Sequence, residues 1–124
     1  MAQKILIIED DSDLRQVLKI MLEQENYIVS QAENGLSGLK KFKNDSFDLV
    51  ITDIIMPEKE GLETIFELKK INPSVKIIAI SGGGRIAAEE YLLMAKNFGV
   101  STVLSKPFKK DAFLFSVKEA LGIK

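Results

Sequence analysis

Apolar positions along the chain follow two alternating patterns. Lys4 to Ile8 (K-I-L-I-I), Leu49 to Thr52 (L-V-I-T) and Lys76 to Ser81 (K-I-I-A-I-S) are short apolar runs rich in β-branched residues. Runs this short and this apolar predict strands buried on both faces. Ile28 to Ala32 (I-V-S-Q-A) and Thr102 to Ser105 (T-V-L-S) are mixed in polarity, as edge strands are. Between the runs, apolar residues recur at helical spacing. Leu14, Val17, Leu18, Met21 and Leu22 mark a first helix, with Asp11 or Ser12 as N-cap. Leu36, Leu39 and Phe42 follow a turn at Asn34-Gly35. Leu62, Ile65, Phe66 and Lys69 form a third helix, stopped by Asn72-Pro73. Ala88, Tyr91, Leu92 and Ala95 line a fourth, with Gly99 as its C′ residue, and Phe113, Val117, Ala120 and Leu121 mark the last.

Five strands alternating with five helices imply a parallel sheet with helices on both faces. The runs at 5–8, 49–51 and 77–80 belong in the middle and the mixed ones at the edges. An α/β, flavodoxin-like doubly wound fold with strand order 2-1-3-4-5 and right-handed crossovers satisfies this. No linker, repeat or low-complexity segment divides residues 1–124, so a single domain is expected.

Composition narrows the function more than the fold. With 17 basic and 18 acidic residues the formal charge is −1, which gives no general pull toward nucleic acid or a membrane surface. Cysteine is absent, so there is neither a disulfide frame nor thiol chemistry, as fits a reducing compartment. Histidine is absent too, which excludes a histidine base, a His-ligated metal and a phosphohistidine on this chain. Any metal must then be a hard ion held by oxygen. The apolar stretch at Ile5 to Ile8 is too short for a signal peptide, and no window approaches membrane-spanning length. A cytoplasmic location is expected.

The candidate chemistry sits where the strands end. In a parallel sheet of this order, ligands bind at the carboxyl ends, at the switch point between the first and third strands. Those ends carry Glu9 and Asp10 after the first strand, Asp53 after the third, Ser81 at the fourth and Lys106 after the fifth. Pro57 and Gly61 mark the loop beyond Asp53. Three carboxylates gathered at one rim repel, and each raises its neighbours' pKa. A divalent, oxygen-loving cation relieves this. Mg²⁺ commonly uses one or two carboxylates, several waters and a phosphate oxygen.

The pieces I-L-I-I-E-D-D, L-V-I-T-D-I-I-M-P, the serine of I-A-I-S-G and the lysine of L-S-K-P-F stand in order at the ends of alternating strands. The chain thereby resembles, over its whole length, the receiver domain of two-component response regulators, and in size the single-domain members such as the chemotaxis regulators. The resemblance implies that Asp53 is the phosphoryl acceptor. Glu9 and Asp10 would hold Mg²⁺, Asp10 directly and Glu9 through water, with the backbone carbonyl of Ile55 as a further ligand. Ser81 would hydrogen-bond the acyl phosphate and Lys106 would pair with its oxygens. The Lys106-Pro107 peptide is cis in the family. A histidine kinase or phosphotransfer protein would supply the phosphoryl group. A downstream protein would read the result at the face formed by the fourth and fifth helices with the fifth strand. Such a chain is a monomer or a phosphorylation-dependent homodimer, and its only catalysis is its own phosphorylation and dephosphorylation. Three positions depart from the family pattern. Glu9 stands for the commoner aspartate, Val103 for an aromatic switch residue, and Gly83 offers no side chain beside the phosphoryl group.

Plainer roles suit the remaining acids. Asp11 and Asp13 are helix-start acids favoured by the dipole, Asp48 is a turn residue, and Glu58 and Glu60 are loop solvation. Gly82 to Gly84 lack a G-x-x-x-x-G-K-[ST] frame, so they predict a flexible loop. Two other functions compete. A Mg²⁺-dependent phosphohydrolase of the haloacid-dehalogenase type also uses a nucleophilic aspartate after a strand. It needs a second acid two residues on, where this chain has Ile55. A phosphorylation-independent docking module would have no use for the acidic set.

Overall fold

The all-apolar runs take the centre of the sheet because only there are both faces of a strand covered. The computed structural model describes residues 2–54, 60–81 and 97–122. Strands β1 (Lys4–Ile8), β2 (Ile28–Ala32), β3 (Leu49–Asp53), β4 (Lys76–Ser81) and β5 (Thr102–Ser105) pair in the order β2-β1-β3-β4-β5. Every pairing is parallel. The helices complete among the described residues are α1 (Ser12–Gln24), α2 (Gly35–Asn44), α3 (Glu60–Ile71) and α4 (Lys110–Leu121). Asn97 and Phe98 are also helical. Gly99 follows them at φ 68°, as a C′ residue should.

Successive residues of each strand point to opposite faces, and the core divides accordingly. Leu6, Ile8, Val50, Ile77 and Ala79 pack with Phe42 of α2 and with Ile65 and Leu68 of α3. Ile5, Ile7, Leu49, Ile51, Ile78 and Ile80 pack on the other side, with Leu18 and Leu22 of α1 and with Phe113 and Val117 of α4. At the edges β2 begins with an exposed Ile28, and no residue of β5 is fully buried.

Local signals set the helix starts. Asp11, not Ser12, caps α1: its Oδ1 accepts from the N–H groups of Asp13 at 3.0 Å and Leu14 at 3.2 Å. Asn34 and Gly35 serve as the start of α2 rather than as a free turn. Asn34 Oδ1 accepts from the Ser37 N–H at 2.8 Å, and Gly35 is the first helical residue. Gly61 lies inside the first turn of α3, not in the preceding loop, and α3 stops at Ile71, before Asn72-Pro73. Asp48 accepts from the Lys4 N–H at 2.8 Å, so it holds the start of β1. Helix α2 approaches β1 closely at Gly38, where a Cβ would lie 2.4 Å from Ile8 Cδ1. The expected fourth helix, with Ala88, Tyr91, Leu92 and Ala95, lies outside the described residues. So do the Gly82 to Gly84 loop, Pro57 and the Ile55 carbonyl.

Candidate functional site

Strand register builds the site. Ile8 stands opposite Thr52 across β1 and β3, so the next step sets Glu9 beside Asp53. Ser81 stands opposite Ser105 across β4 and β5, so Lys106 follows one step beyond. Backbone bonds continue past the strand ends: Glu9 N–H to the Ala32 carbonyl at 3.0 Å, Ile54 N–H to Ile80 at 2.9 Å and Lys106 N–H to Ser81 at 2.7 Å. Side chains with no affinity for one another in sequence are thus fixed at one rim.

Carboxylate oxygens of Glu9, Asp10 and Asp53 lie within 4.8 Å of one another. Glu9 and Asp53 are buried at 0% and 3% exposure, while Asp10 is exposed. The Lys106 ammonium donates to Asp53 Oδ2 at 2.8 Å. It also stands 3.1 Å from Glu9 Oε1. That second contact is an ion pair without hydrogen-bond alignment, which leaves Oε1 buried and without a hydrogen bond. The other Glu9 oxygen, Oε2, accepts from the Asp11 N–H at 3.1 Å. The Lys106-Pro107 peptide is cis. Ser81 Oγ is fully buried and has no hydrogen-bond partner among the described residues.

Burial dominates the electrostatics of Glu9. It pushes the carboxyl up to about 7 from an ordinary 4.5, helped by Asp10 and Asp53 and opposed by the Asp11 N–H and by Lys106. For Lys106, burial works against the ammonium, but the carboxylates of Asp53 and Glu9 more than offset it and hold its pKa above the usual lysine value. Two acids and a cation share a buried rim, where one Glu9 oxygen has an ion-pair partner but no hydrogen bond and the Ser81 hydroxyl has no hydrogen-bond partner among the described residues. A buried polar group without a partner costs about 1–3 kcal/mol. A bound oxyanion accepting from Ser81 would remove that cost, and a bound cation would give the Glu9 carboxylate a second partner. The donor set is all oxygen, which fits a hard divalent cation.

The structure therefore gathers four of the sequence-predicted residues, Glu9, Asp10, Asp53 and Lys106, in direct proximity. It adds Ser81 through the backbone bond from Lys106 to its carbonyl. Val103 is only partly buried and packs against the α2 and α3 side of the core. Sequence reasoning passed over Arg15, whose Nη1 donates to the Glu9 carbonyl oxygen at 2.6 Å. The signal was its place four residues after the cap Asp11. Helix side chains lean toward the N-terminus, so a long one there lies back over the preceding loop.

Comparison with known proteins bears on this arrangement. The profile of the family described as response regulator receiver domain matches residues 5–118. The chemotaxis protein CheY of Halobacterium salinarum is 31% identical over 121 residues, covering 98% of this chain and 98% of that protein. CheY of Bacillus subtilis is 34% identical, covering 98% of this chain and 100% of the relative. Among solved structures, a response regulator receiver domain protein from Clostridium thermocellum superposes with a TM-score of 0.86 at 32% identity, over 98% of this chain and 95% of that one. A CheY-like receiver domain protein from Methanospirillum hungatei does so at 0.88 and 31%, with the same shares covered.

Proposed function

The chain belongs to the response regulator receiver domain family of two-component signalling, and on that premise we propose that Asp53 is its phosphoryl acceptor and Mg²⁺ its metal. The observation that carries the proposal is the buried Asp53 carboxylate held 2.8 Å from the Lys106 ammonium, with carboxylate oxygens of Glu9 and Asp10 within 4.8 Å of its own.

Asp53 Oδ atoms are the nucleophile in this reading. One of them attacks the phosphorus of the donor, and the donor's leaving group departs with the bond electrons. Lys106 holds one oxygen of the acceptor and is placed to pair with phosphoryl oxygens as negative charge spreads over them. Ser81, buried and with no hydrogen-bond partner at Oγ among the described residues, would donate to a phosphoryl oxygen. Glu9 and Asp10, with Asp53 and the Ile55 carbonyl, would hold the metal, which when bound supplies charge neutralisation at the transferring group. Receiver domains take phosphoryl groups from histidine kinases and act on downstream targets. This chain has no histidine, so the phosphohistidine belongs to another protein, a kinase or a phosphotransfer protein. We assign its chemistry to self-phosphorylation and self-dephosphorylation, with no separate substrate turned over. A downstream protein would read the result at the face that the expected fourth helix and the last helix, here α4, make with β5; on α4 Phe115 stands 65% exposed.

The test is intact-mass spectrometry after incubation with a small acyl phosphate and Mg²⁺. One added phosphoryl group is expected on the parent chain and none on Asp53→Asn. Equal labelling of both would refute Asp53 as the acceptor.

A further inference from the structure

We infer that Arg15 is a positioning residue for the loop that presents Glu9 and Asp10, an inference that rests on reading those two acids as metal ligands. The guanidinium Nη1 donates to the Glu9 carbonyl oxygen at 2.6 Å, and the Arg15 backbone N–H donates to the Asp11 carbonyl at 2.9 Å. The second of these is the first ordinary helical bond of α1, closed on the cap residue, so the guanidinium alone reaches back over the loop from the first turn of α1. The Glu9 carbonyl lies in the peptide plane that leads into Asp10. Holding that plane restrains where the Asp10 Cα sits and narrows the directions in which its side chain leaves the backbone.

The two acids depend on this contact unequally. Glu9 is fully buried, its N–H is bonded to the Ala32 carbonyl at 3.0 Å and its Oε2 accepts from the Asp11 N–H at 3.1 Å. Asp10 is the exposed member of the cluster, so packing does little to orient it and the peptide plane does more. An arginine suits the task because its planar fork is pre-organised and loses little freedom per hydrogen bond formed. Arg15 meets the site through a backbone carbonyl, not through a carboxylate of the cluster. It acts through the loop, and its loss lowers metal affinity without removing a ligand. Groups that orient metal ligands from behind are commonly worth 10- to 100-fold in affinity.

The experiment is a Mg²⁺ titration of melting temperature on the parent, Arg15→Ala and Arg15→Lys, with metal-free melting recorded alongside. Arg15→Ala is expected to raise the apparent Mg²⁺ Kd about tenfold, with metal-free melting close to the parent's. Lysine, which can still place one N–H on the carbonyl, should recover most of the affinity. Asp53 labelling by a small acyl phosphate should return to near the parent rate once Mg²⁺ saturates the variant. An unchanged Kd in Arg15→Ala overturns the role, and so does a lowered metal-free melting temperature with unchanged Kd. A parent chain whose melting ignores Mg²⁺ refutes the metal-site reading itself, which separates the two failures.

Discussion

Glu9 sits in an environment far from what a glutamate prefers, fully buried beside two other acids. Its carboxyl titrates near 7 in the folded chain, against 4.5 in an unperturbed setting, chiefly because it is buried. Between those two values the unfolded chain gives up the proton while the folded chain keeps it. The folded state then binds more protons, so metal-free stability falls as pH rises from about 4.5 to about 7. The gap between those two values corresponds to roughly 3 kcal/mol at most. Urea denaturation in chelator at pH 5, 6, 7 and 8 should show that decline, and Glu9→Gln should flatten it and be more stable than the parent at pH 8. A parent whose stability is level across the window would contradict the assignment. The longer arm of glutamate was legible in the sequence, but its burial was not. Glu9 follows an apolar strand as Asp10 does, and only the register places the first beneath the rim and the second upon it.

At the scale of elements, the alternation of patterns carried nearly all of the architecture. Three continuous apolar runs became β1, β3 and β4, and the two mixed ones became the edges β2 and β5. The helix starts were harder to read, because Asp, Ser and Asn all cap and several stand together. Asp11 prevailed over Ser12, and Asn34-Gly35 opened α2 instead of turning the chain. The close approach of α2 to β1 left no mark in the pattern. Gly38 reads as an ordinary helix-weakening glycine, yet a Cβ there would stand 2.4 Å from Ile8 Cδ1 and 2.7 Å from its Cγ1. Alanine in a helix is worth about 1 kcal/mol over glycine, whereas overpacking a core costs about 1–3 kcal/mol. Gly38→Ala should therefore be neutral to destabilising by about 2 kcal/mol. Adding Ile8→Val, which removes Cδ1, should return part of that loss. A clear rise in melting temperature for Gly38→Ala alone would show that Ile8 has room to give way.

For the molecule as a whole, the doubly wound order is what makes the chemistry local. Glu9, Asp53 and Lys106 are far apart along the chain, and parallel strands with a common direction deliver them to one end of the sheet. The acids, the serine and the lysine of that rim could be read from the sequence, since each follows an apolar run. What could not be read was how they bond: Lys106 serving Asp53 and Glu9 at once, Ser81 Oγ without a hydrogen-bond partner among the described residues, Arg15 holding the loop from behind. Those depend on distances that only the packed sheet sets. Among the described residues no helix is long and apolar enough to cross a membrane. The central claim is that this rim carries phosphate on one carboxylate. Its most direct test is to treat the acyl-phosphate-labelled chain with borohydride, which reduces an aspartyl phosphate to homoserine, and to sequence the peptides by mass spectrometry. Homoserine is expected at position 53 and nowhere else. Its appearance at Asp10 or Asp11, with Asp53 intact, would contradict the account.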